Sequence, residues 1–219
     1  LIFLLHPSSP SSSFFFFQQK DGIRFLSWSL GSEICYRGHP SLDQIKTIGA
    51  FLGSMGYSCT DHCLNWHREN PRGWEWFLDT AKKLTPFLSE EELSQLNDEL
   101  TLQHNYWTSE AIKEIPHGPV HADMFRNNVM FQEDGSLGAV IDWGFCASDT
   151  PFIYALAIVA NDWCLEKDGY ELDEGKLSAL LEGRESVQPL TDKEKEAWPM
   201  ALRWASLRFY LSRLWDYHN

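Results

Sequence analysis

Positive charge, ordered cysteine and long apolar runs are all scarce in this chain. Only 18 lysines and arginines stand against 31 aspartates and glutamates, for a net charge of −13 over 219 residues. That balance argues against general affinity for nucleic acid or an anionic membrane, because both bind through accumulated cations. The five cysteines are an odd number without framework spacing, which points to a reducing, cytoplasmic setting. Cys59, His62, Cys63 and His67 lie close together but lack the two separated ligand pairs of a compact zinc site, so they read as ordinary helix or loop residues. At the start, LIFLL and FFFF are separated by HPSSPSSS; neither approaches the roughly 20 residues that cross a bilayer. With no leading Met or basic region, that stretch makes a poor signal peptide, and residues 1–24 are expected to form an atypical, poorly ordered segment.

What the chain does contain favours a packed interior. Hydrophobic residues make up 43%, with ten tryptophans and fourteen phenylalanines, ample for one globular domain rather than a disordered chain. Ser41 can cap a helix running to about Met55, with Ile45, Ile48 and Leu52 on one face. Asn70-Pro71-Arg72-Gly73 breaks the chain before a tryptophan-rich helix from about Trp74 to Leu84. Ser89 and Glu92 have capping-box spacing and open a helix with Leu93, Leu96 and Leu100 inward. The stretch from Ile153 to Leu165 is apolar almost all round and predicts a buried helix, ended by Asp168-Gly169. Thr191 and Glu194 repeat the capping-box spacing ahead of a long C-terminal helical region.

The chemistry concentrates in HADMFRNNVMF at 121–131 and VIDW at 140–143. Asp123 sits on a loop, Asn128 follows five residues later, and Asp142 comes after a hairpin whose turn is the Glu-Asp-Gly-Ser stretch at 133–136. Phosphoryl transfer needs positioning and charge neutralisation more than covalent help. Magnesium takes oxygen ligands, typically one or two carboxylates with phosphate oxygens and water. In this pattern Asp123 would orient and deprotonate a substrate hydroxyl, while Asn128 and Asp142 would hold the Mg2+ that carries ATP.

IPHGPVHADMFRNNVMF together with GAVIDWGFCASD resembles the catalytic core of the aminoglycoside phosphotransferase and choline kinase family. ALAIVANDWC at 155–164 and LRFYLSRLWDYHN at 207–219 are similar to the homoserine kinase branch of that family. The resemblance implies an α+β, protein-kinase-like fold: mainly the α-helical C-terminal lobe over residues 25–219, with a small β-hairpin and the N-terminal lobe largely missing. It implies Asp123 as catalytic aspartate, Asn128 and Asp142 as magnesium ligands, and His121 as a structural support of the loop. ATP and homoserine, or another amino alcohol, are the implied small-molecule partners, with threonine biosynthesis as the setting. An aminoglycoside, choline or hydroxylysine-type kinase is the alternative, and a catalytically dead lobe acting as a binding module is another.

FLSWSLG at 25–31 resembles the family's last strand and hinge. No glycine-rich loop precedes it, and Lys20 is the only lysine among residues 1–40. Ala155 stands where the family usually has an aspartate that braces the catalytic loop, leaving its donors to find other acceptors. Asn127 reads as a loop-shaping residue beside Asn128, and Arg126 as a surface arginine with some reach toward a phosphate. Asp162, with Asn161, could hold a substrate ammonium or form a satisfied pair at a helix end. Arg208 or Arg213, five apart and on different faces, could bind a substrate carboxylate or pair with the acidic surface.

Overall fold

A computed structural model describes residues 34–35, 40–61, 67–166 and 171–218. The hinge-like stretch at 25–31, residues 1–24 with Lys20, and the Asp168-Gly169 stop lie outside the described residues. So do His62 and Cys63 of the cysteine–histidine group. In chain order the elements are β1 (Ile34–Cys35), α1 (Leu42–Asp61), α2 (Trp74–Leu84), α3 (Glu90–Trp107), β2 (His117–Val120), β3 (Val129–Phe131), β4 (Leu137–Val140), β5 (Ala147–Pro151), α4 (Phe152–Trp163), α5 (Glu174–Val187) and α6 (Asp192–His218). Two small antiparallel sheets result. One has strand order β1-β3-β4, and the other pairs β2 with β5.

The capping signals are realised as hydrogen bonds. Gln44 N donates to Ser41 Oγ at 3.2 Å and Ser41 N to Gln44 Oε1 at 3.0 Å, so α1 opens on its own box. Ser89 with Glu92 and Thr191 with Glu194 form the two expected boxes. The first helix extends to Asp61, past the expected end near Met55. Among the inward leucines of α3, Leu96 and Leu100 are buried and Leu93 is half-buried. The apolar helix begins one residue earlier and ends two residues sooner than expected, at Trp163, and every residue from Phe152 to Ala160 is buried. It forms the spine of the larger core, against Ile45 and Ile48 of α1 and Ala197, Ala201 and Ala205 of α6.

Helices α1 and α5 cross at glycine. A Cβ on Gly183 would collide with the backbone carbonyl of Lys46, and one on Gly49 with that of Leu180. Backbones in contact at this distance have no rotamer to yield. Gly183→Ala is therefore expected to lower unfolding free energy by about 2–3 kcal/mol, read as a shift in urea midpoint. A variant as stable as the parent would mean the crossing is looser than described.

Candidate active site

The hairpin sets the site. Strands β3 and β4 pair Val129 with Val140 and Met130 with Ala139. Ile141 N then donates to Asn128 O at 2.9 Å, which brings the residue after Ile141 back beside Asn128. That residue is Asp142, held in the left-handed region at φ 59°, with its carboxylate accepting from Gly144 N at 3.4 Å. Non-glycine residues occupy this region rarely, and aspartate is among those that tolerate it best. The side chain stands exposed at the mouth of the loop.

Asp123 is almost buried. Its Oδ1 lies 2.6 Å from Arg208 Nη2, and its Oδ2 accepts from Asn128 Nδ2 at 3.3 Å. The same amide nitrogen donates to Asp123 O at 2.8 Å. Asn128 therefore spends its nitrogen on the loop, and its amide oxygen is the atom suited to a cation. Burial pushes the Asp123 carboxyl above the usual carboxylate range, the Arg208 guanidinium opposes this, and the charge of Asp142 adds to it. Thus Asp142 is near enough to act on Asp123 electrostatically. Its neighbour Ala122, buried, also adopts positive φ, at 58°.

His121 is fully buried and uses both ring nitrogens. Nε2 lies 2.9 Å from Ile141 O, and Nδ1 accepts from Asp123 N at 3.2 Å. A ring that accepts at Nδ1 and donates at Nε2 is neutral, and burial holds its pKa below the ordinary histidine value. The unfolded chain takes up this proton near pH 6.5 and the folded chain only lower. Stability is thus complete above that pH and is lost as pH falls through the window beneath it, by up to about 1.4 kcal/mol per unit. Urea titrations at pH 7 and pH 5 should show that loss, and His121→Gln, less stable at pH 7, should show a flatter profile. An unchanged profile would rule out His121 as the source.

The loop carries three further restraints. Arg126 N donates to Asp162 Oδ2 at 2.7 Å, and the Arg126 guanidinium pairs with the same carboxylate at 3.3 Å. Trp163 Nε1 donates to Met124 O at 3.2 Å. Asp162 and Trp163, about two turns beyond Ala155 on α4, so anchor the loop at Met124 and Arg126. Asn161 points elsewhere, its amide donating to Leu202 O and Ser206 Oγ, both at 2.9 Å, and ties α4 to α6.

Arg208 is not at the surface. It is 4% exposed, and its guanidinium carbon sits 5.4 Å from the Phe125 ring centroid and 5.3 Å from that of Phe145. Arg213 instead pairs with exposed Asp216 at 3.9 Å. The structure thus brings together Asp123, Asn128, Asp142, His121 and Arg208, and places Asp162 behind the loop. The contact of Arg208 with Asp123 was not read from the sequence. A signal was there: Ala197, Ala201, Ala205 and Arg208 fall on one face of α6, three small residues running into a cation.

Asn128 offers an amide oxygen and Asp142 an exposed carboxylate, hard oxygen donors of the kind magnesium takes. Among the described residues no three His, Cys, Asp or Glu side chains gather as a metal group.

A loop aspartate, an amide five residues on and an acid behind a hairpin, all beneath a helical lobe, define a kinase-like phosphotransferase. Residues 31–190 match the model of the phosphotransferase enzyme family, and the chain belongs to that family. It is 36% identical over 184 residues to a homoserine kinase of Polaromonas naphthalenivorans, covering 83% of this chain and 58% of that protein. A homoserine kinase of Methylobacillus flagellatus is 41% identical over 147 residues, covering 67% of this chain and 44% of the relative. The chain therefore spans about half the length of these curated relatives. Among solved structures, a macrolide 2'-phosphotransferase type I shares the fold, with a TM-score of 0.51 at 13% identity over 86% of this chain and 62% of that one. No helix among the described residues is long and apolar enough to cross a membrane.

Proposed function

We propose that this chain forms the catalytic lobe of a kinase that transfers the γ-phosphoryl group of ATP to the side-chain hydroxyl of homoserine. The observation that carries the reading is the buried Asp123 carboxylate, gripped by Arg208 and Asn128 within electrostatic reach of Asp142. The names of the relatives support the choice of alcohol.

In this mechanism Asp123 accepts the proton of the substrate hydroxyl as its oxygen bonds to phosphorus and the bond to the leaving ADP oxygen breaks. A carboxyl raised by burial is a better proton acceptor near neutral pH than an ordinary one. Arg208 and Asn128 fix its orientation, so no reorganisation accompanies the transfer. His121 and Asp162 hold the loop rather than exchange protons. Asn128 and Asp142 would hold Mg2+, which when bound supplies charge neutralisation to the phosphates.

Coupled measurement of ADP release over homoserine, choline, hydroxylysine and an aminoglycoside tests the assignment. Homoserine should give the highest kcat/KM. Turnover of another alcohol with none of homoserine would replace the substrate and leave the roles of Asp123, Asn128 and Asp142 standing.

A further inference from the structure

We infer that Arg72 reads the carboxylate of the substrate, so that the site takes a hydroxyl-bearing α-amino acid and turns away cationic alcohols. The inference rests on the homoserine reading above and deepens it. Arg72 lies in the break before α2, where its backbone N donates to Asn70 Oδ1 at 2.9 Å. Its guanidinium carbon sits 4.3 Å from the Trp76 ring centroid and 5.1 Å from that of Phe145. Phe145 follows Asp142 by three residues, and its ring also receives the Arg208 guanidinium at 5.3 Å. One ring therefore carries two cations: the one that grips Asp123, and a second.

The segment that carries Arg72 is fixed to the loop that leaves Asp142. Arg68 donates from Nη2 to Gly144 O at 2.6 Å and from Nη1 to Cys146 Sγ at 3.4 Å, on either side of Phe145. Its backbone N donates to Ser148 Oγ at 2.8 Å, and its carbonyl accepts from Ser148 N at 2.9 Å. Arg72 is thus held at the mouth of the site by bonds that leave its own guanidinium unused.

The two arginines differ in what they hold. Arg208 is spent on Asp123. The Arg72 guanidinium has no hydrogen bond or ion pair to any described residue. Its Nε is sealed from solvent while the side chain is only half-buried, so the terminal nitrogens are the open end. Burial holds this guanidinium below the ordinary arginine value, the charge of Arg208 adds to that, and Asp216 and Asp123 oppose it. Asp216 is itself exposed and paired with Arg213 at 3.9 Å. A partly desolvated, unpaired cation beside another of like sign calls for an anion. Planar terminal nitrogens suit a carboxylate held by two bonds. Phosphate is the competing anion, and the neighbouring charges decide against it. The acids that act on Arg72 are Asp216 and Asp123, and Asp142, the acid proposed for Mg2+, is not among them. Arg72 therefore addresses the end of the site where the alcohol lies, away from the metal and the phosphates.

Calorimetric titration of the full chain with L-homoserine and with aminopropanol, the same alcohol without its carboxylate, tests the assignment. Homoserine should bind at least about tenfold tighter than aminopropanol. Arg72→Met keeps an apolar stem against Trp76 and removes the charge. It should weaken homoserine by about tenfold or more and abolish the preference over aminopropanol. Arg72→Lys, which keeps the charge but not the planar fork, should recover part of that preference. Equal homoserine affinity in the parent and in Arg72→Met would overturn the inference and leave the homoserine reading standing. Weaker binding of magnesium-ATP by Arg72→Met, with homoserine unchanged, would give Arg72 to a phosphate and overturn it in the same way. Absence of saturable homoserine binding in the parent would overturn both readings together.

Discussion

Replacing Asp123 with asparagine should cut phosphoryl transfer by roughly 10²–10⁴-fold, the usual worth of a positioned general base. The same change should also lower stability by about 3 kcal/mol, because Arg208, 4% exposed, would lose its anion and remain buried as an uncompensated cation. The two effects separate in the double variant Asp123→Asn with Arg208→Met. Removing both charges should restore most of the stability, measured by urea titration, and none of the turnover, measured by ADP release. If asparagine at 123 keeps a tenth or more of the parental rate, Asp123 is not the base. If the double variant is no more stable than the single one, the pair with Arg208 is not what the loop depends on.

The second large effect lies away from the chemistry. Glu99 is buried on α3, and its Oε1 accepts from Gln103 Nε2 at 2.8 Å and from Arg203 Nε at 3.1 Å. Arg203 Nη2 pairs with its other oxygen. With Trp107 bonded to Gln103, four side chains form one chain of bonds joining α3 to α6. Arg203→Met should cost about 3–5 kcal/mol, since it strands a carboxylate in the interior. Adding Glu99→Leu should return a good part of that loss but not all, because Gln103 Nε2 would then lack an acceptor. A double-mutant cycle by urea unfolding measures the coupling, and additive losses would show that the two residues act independently.

Local rules in the sequence foretold local structure well. Ser89 with Glu92, Thr191 with Glu194, and the helix Trp74–Leu84 could be read directly, because caps and periodicity act within a few residues. The site trio was legible for the same reason: a short hairpin connects its parts. The pairing of β2 with β5 was not, since Gly118 and its partner Thr150 lie 32 positions apart, and ASDTP shows no alternation of apolar and polar residues. Arg208 posed a related difficulty. It reaches Asp123 across 85 positions of sequence, and only the depth of its helix face in the core distinguishes it from Arg213. Asp162, whose place at a helix end suits either a substrate amine or a satisfied pair, is bonded to Arg126 as a pair.

The hairpin between Asn128 and Asp142 also limits how this part of the gene can change length. The tip at 133–136 faces solvent, and Gly135, at φ 83°, has open space around it, so codons inserted there would lengthen a loop and leave Val129 opposite Val140. A single codon gained or lost between 129 and 131, or between 137 and 141, would slip the pairing by one residue and turn Asp142 away from Asn128. Length variation among descendants of this sequence should therefore collect at the four tip residues and be purged from the three strand residues at 129–131 and the five at 137–141.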